Sequence, residues 1–82
     1  MLERQIRNIK LVIDNIAKQI DTLEFLADNE PKDFTIMKDK VLGTLVATLK
    51  GVKSLLSVNK GNSDLLDLEN TLIIQWDIIN KL

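Results

Sequence analysis

Residues 2–28 read LERQIRNIKLVIDNIAKQIDTLEFLAD, and their spacing decides the fold. Leu2, Ile6, Ile9, Ile13, Ile16, Ile20, Leu23 and Ala27 alternate steps of four and three, a heptad seam sustained for almost four repeats. Val12 and Leu26 widen the stripe beyond a two-stranded seam, which predicts a helix packed on two neighbours. Isoleucine at both seam positions favours more than two strands in parallel coiled coils, a preference that carries over only loosely to an antiparallel bundle.

Outward from this helix the chain breaks twice. The first break is Asp28-Asn29-Glu30-Pro31-Lys32-Asp33, where proline suits a first helical turn and pushes the residue before it out of the helical region. A second helix follows over about 31–58. Its apolar positions are Phe34, Met37, Val41, Leu45, Leu49, Val52 and Leu56, flanked by Leu42, Val46 and Leu55. Asn59-Lys60-Gly61-Asn62-Ser63 is the second break: Gly61 suits a left-handed cap, and Asn62, Ser63 or Asp64 can cap the next helix. The third helix, about 63–82, has Leu65, Leu68, Leu72, Trp76 and Ile79 as its stripe, with Ile73 close by. Short links between amphipathic helices favour antiparallel neighbours. The expectation is one all-α domain over 1–82, an up-down-up antiparallel three-helix bundle. Its core seam is Ile6, Ile9, Ile13, Ile16, Ile20, Leu23, Leu45, Leu49, Val52, Leu68, Leu72, Trp76 and Ile79.

Composition fits a globular chain. Of 82 residues, 45% are hydrophobic and 28% charged, with net charge −1, which excludes a disordered or collagen-like chain and removes any bulk field for nucleic acid or an anionic membrane. The charge is nevertheless segregated. Residues 29–60 carry net +3 and residues 61–82 net −3, so the second helix is basic and the third acidic. The first helix places Arg4, Arg7 and Lys10 at its start and Asp21, Glu24 and Asp28 at its end, against its own dipole at about 0.3–1 kcal/mol per exposed charge. Two arrangements would compensate: Lys32, Lys38 and Lys40 beside the acidic end with Asp64, Asp67 and Glu69 beside the basic end, or an antiparallel dimer through this helix.

The missing residue types bound the chemistry. Cysteine, histidine and tyrosine are all absent. This removes disulfides, thiolate nucleophiles, the usual general base and the usual transition-metal ligands. No nucleophile–base constellation or phosphate loop is legible. The expectation is no enzyme, no cofactor and no metal. Asp64, Asp67 and Glu69 lack the glycine and ligand spacing of a calcium loop and read as dipole-favoured residues of a first turn. Lys38, Lys40, Lys50, Lys53 and Lys60 spread around their helix, which disfavours nucleic-acid binding. Apolar strings such as Leu11-Val12-Ile13 and Leu72-Ile73-Ile74 are far short of a membrane span. With no signal-peptide core and no cysteine, a cytoplasmic setting is expected.

Candidate interface residues fall in two groups. Gly43, Ala47 and Gly51 recur every four residues on one face, with Ile36 and Val58 near it. Small residues of this kind let another helix approach closely, or they mark a poorly optimised solvent face. Leu11 and Phe25 lie opposite the first seam, and Ile74 and Ile78 lie away from the third stripe. A bundle of this size struggles to bury all of them. Trp76 has core spacing, and its size also suits an interface anchor. The functional expectation is a non-catalytic helical interaction module: a regulator, inhibitor, adaptor or chaperone-like protein. It would act by burying apolar helix faces against a protein partner or by self-association as a homo-oligomer. One alternative is a dimeric nucleic-acid-associated regulator using the basic helix. Bacteriocin immunity proteins are also small cytosolic helical bundles, a likeness at the level of fold that no motif here carries.

Overall fold

The computed structural model describes all 82 residues and contains three helices: α1 (Leu2–Asn29), α2 (Pro31–Val58) and α3 (Ser63–Lys81). There are no strands, and each helix packs on both others. The molecule measures 43 × 19 × 15 Å. Its long axis matches one 28-residue helix at about 1.5 Å per residue. The helices therefore lie side by side, and the chain reverses at each link.

Both links are set by local chemistry. Glu30 alone separates α1 from α2, with φ −143° and ψ 77°, outside the helical region as a residue before proline must be. Its N–H closes α1 on Leu26 O at 2.8 Å, and its carbonyl opens α2 by accepting from Phe34 N at 2.9 Å. At the second link Asn59 donates from both its backbone and its side chain to Leu55 O. Gly61 then takes φ 76°, the left-handed conformation that glycine adopts without a Cβ penalty. Asn62 Oδ1 caps α3 by accepting from Leu65 N at 3.0 Å.

The core comprises twelve buried apolar side chains. α1 supplies Ile6, Ile13, Ile16, Ile20 and Leu23; α2 supplies Val41, Leu45 and Val52; α3 supplies Leu65, Leu68, Leu72 and Ile79. Ile9 and Leu49 are half-buried against this cluster rather than inside it. The α3 stripe needs one correction. Trp76, expected in the core, is 46% exposed, and Gln75 is buried at 7%. Between Leu72 and Ile79 a helix can satisfy its inner face with a step of three or of four. The arc fixed by Leu65, Leu68, Leu72 and Ile79 is centred midway between 75 and 76, so the packing of α3 on α1 decides between them. The indole stays at the rim. The Gln75 amide enters instead and donates to the Ile13 carbonyl on α1.

α2 differs from its neighbours in composition. Gly, Ala, Ser and Thr take several of the positions outside its core where charged residues could stand, and it contains an 18-residue stretch of mean hydropathy 1.4 with at most two charged residues. By length and composition alone it is apolar enough to cross a membrane. Counting short apolar strings overlooks this, because weakly polar residues interrupt the strings without adding charge. Lys50 and Lys53 oppose insertion, at about 2.5–3.5 kcal/mol for a lysine near a span's centre. The stripe of Val41, Leu45 and Val52 is also committed to the bundle interior.

Candidate interaction surfaces

As many large apolar side chains are exposed as are buried: twelve of each. Single exposed apolar residues are ordinary, so what matters is which of them lie together. Leu11 and Phe25 are both exposed on the outside of α1, but fourteen residues of helix, about 21 Å, separate them. They form no common patch. Ile74 and Ile78 are exposed on the flank of α3 that faces α1.

That flank is fixed by two observations. Gln75 reaches Ile13 O at 3.1 Å. Asp64 shares a shallow pocket of about 270 Å³ with Glu3, Ile6, Arg7 and Lys10. The expected compensation of the basic start of α1 by α3 is therefore realised as proximity at Asp64, without an ion pair. The only salt bridge lies within α3, from Lys81 Nζ to Asp77 at 2.9 Å. No lysine of α2 pairs with a carboxylate of α3. Lys38 sits 5.5 Å over the Phe34 ring, and the other lysines of α2 are exposed in several directions.

α1 and α2 together border an open groove of about 420 Å³, on the side away from α3. Gln5, Asn8, Ile9 and Val12 line one wall and Thr48, Gly51, Ser54 and Leu55 the other. Gly43, Ala47 and Gly51 are all exposed on α2, and of the three only Gly51 lines this groove. A Cβ added at Gly43 or Gly51 would meet nothing within 4 Å, so no contact inside the chain requires either glycine.

A further apolar grouping was legible in the sequence only in part. α1 occupies one flank of α2, at Thr48, Gly51 and Leu55, and one flank of α3, at Asp64 and Gln75. At about 3.6 residues per turn, Val46 falls on the opposite flank of α2, and Leu66, Ile73 and Trp76 on the opposite flank of α3. All four are exposed. The reversal over residues 59–62 sets Val46 level with Ile73 and Trp76. The half-buried Leu42 and Leu49 extend the patch toward the core. Periodicity had grouped Trp76 with the interior, so this face was missed. The signal that finds it is the count of apolar residues on α3, which exceeds one face.

Asp64 lies in the first turn of α3, where a negative charge favours the helix. No three acidic side chains gather in the geometry of a metal site. Comparison of the chain with protein-family models, with curated proteins and with solved structures returns no match.

Proposed function

We propose that this chain is a small non-catalytic interaction module that works by burying apolar helix surface against another protein chain. The observation that carries the proposal is the half-exposed Trp76 on the α2–α3 face, with Ile73 and Val46 exposed at about the same level and Leu66 exposed about 10–15 Å further along α3. Tryptophan is the residue most enriched where binding energy concentrates, and a contiguous apolar patch on a small domain marks an interface more often than chance. The groove between α1 and α2, with its small-residue wall, is a second docking surface of lower apolar content. The residue inventory supports the non-catalytic reading, because neither a thiol nor an imidazole is present. The lysines of α2 give a nucleic-acid reading less support, since they face several directions.

Photo-reactive residues placed at 73 and 76 of the intact chain, expressed in cells, test this. Adducts with protein, whether a second copy or another chain, are expected from both positions and not from Lys18 on the outer side of α1. No adduct, or equal yields from Lys18, overturns the proposal.

A further inference from the structure

Resting on that reading, we infer that the chain covering the α2–α3 face is a second copy of this one, packed about a two-fold axis so that the basic α2 of each protomer lies on the acidic α3 of the other. Three observations converge on this occupant.

The first is surface. The chain exposes 5572 Å², whereas a folded monomer of 9.3 kDa exposes roughly 5,000 Å². The radius of gyration is 13.7 Å against about 11.7 Å for a compact domain of this length. The excess follows from the elongated shape, and a standard interface takes roughly 800 Å² from each partner. A three-helix rod 43 Å long offers that area only along its side, where the apolar patch runs.

The second is charge. The segment containing α2 carries net +3 and the segment containing α3 net −3, yet no ion pair joins the two helices within the chain. Lys50 and Lys53 are exposed on α2; on α3 Glu69 is half-buried, and Asp77 is exposed and shared with Lys81 of its own helix. A two-fold contact that sets α2 against the partner's α3 uses this opposition twice. A contact of α2 with α2, or of α3 with α3, opposes like charges. The groove between α1 and α2 has no such signature, because Gln5, Asn8, Thr48 and Ser54 on its walls are uncharged.

The third is symmetry. Among closed assemblies the two-fold dimer is by far the commonest, and it requires a self-complementary patch. The α2–α3 face meets that requirement, with an apolar strip shared by one basic and one acidic helix.

Sedimentation equilibrium of the full chain, from low micromolar to near millimolar, is the measurement. The expected result is a reversible rise to twice 9.3 kDa. Trp76→Ala, a surface change that leaves the helical signal intact, weakens the dimer. Reversing Lys50 and Lys53 to Glu weakens it about tenfold, and so does reversing Glu69 and Asp77 to Lys. Mixing the two charge-reversed chains restores association as a heterodimer. A monomer at every concentration overturns the inference. So does a dimer indifferent to Trp76→Ala and to both charge reversals, since it must use another face. Cross-links from 73 and 76 to a different protein, with a strictly monomeric purified chain, sink the second copy and leave the interaction reading standing; absence of all adducts sinks both.

Discussion

The side-chain amide of Gln75 donates a hydrogen bond to the carbonyl oxygen of Ile13, 3.1 Å away and 62 positions earlier in the chain. This is the only hydrogen bond between side chain and backbone that joins two helices, and it crosses the bundle interior from α3 to α1. The same amide leaves Oε1 buried without a partner. The interaction therefore fixes the register of α3 on α1 while costing about 1–3 kcal/mol for the orphaned acceptor.

Gln75→Met is expected to raise unfolding free energy by about 1 kcal/mol in urea titration, because it replaces a half-satisfied amide with an apolar side chain of similar length. Gln75→Glu is expected to lower it by several kcal/mol, since a carboxylate cannot donate to the Ile13 carbonyl and would carry charge into the core. If Gln75→Met destabilises, the bond to Ile13 outweighs the orphaned oxygen.

Ile16 is fully buried at the middle of the α1 seam. Ile16→Asp is expected to abolish cooperative melting by placing an unpaired charge there, and Ile16→Val to cost about 0.5–1.5 kcal/mol. A wild-type melting curve for Ile16→Asp would refute the seam.

The glycines are expected to divide by backbone conformation rather than by space, since all three have room for a Cβ. Gly43→Ala and Gly51→Ala should each stabilise the monomer by about 0.4–1 kcal/mol, because both positions are helical and open. Gly61→Ala should destabilise by about 1 kcal/mol, because φ 76° strains any residue with a Cβ. Thermal melts of the three variants at one protein concentration decide the matter.

Asn62→Ala removes the acceptor for Leu65 N and is expected to cost about 1 kcal/mol. Asn62→Ser or Asn62→Asp should recover most of the loss. Hydrogen exchange at Leu65 gives a local readout, with faster exchange in the alanine variant alone.

The sequence was most informative where one period dominates. The alternating fours and threes of α1 named all five of its buried residues, and the proline and glycine breaks placed both links within a residue or two. It was least informative on α3. There apolar residues occupy more than one face, and hydrophobicity alone favoured Trp76 over Gln75 for the inner position. Which of the two points inward depends on the angle at which α3 meets α1, a tertiary quantity that no local pattern contains. The opposition of basic α2 and acidic α3 was legible as charge, but not the fact that no ion pair joins the two helices within the chain. The α1–α2 groove was half legible: its small residues were evident, whereas the facing wall of Gln5, Asn8, Ile9 and Val12 required the fold.

Trp76 is the sole tryptophan, tyrosine is absent, and the indole stands partly in water. Its fluorescence in the native monomer will thus already resemble that of the denatured chain. A denaturation followed by emission alone will look shallow, while circular dichroism reports the full loss of helix. The ring is an optical witness to the exterior: a blue shift will announce the arrival of a neighbour against α3 rather than the formation of the core.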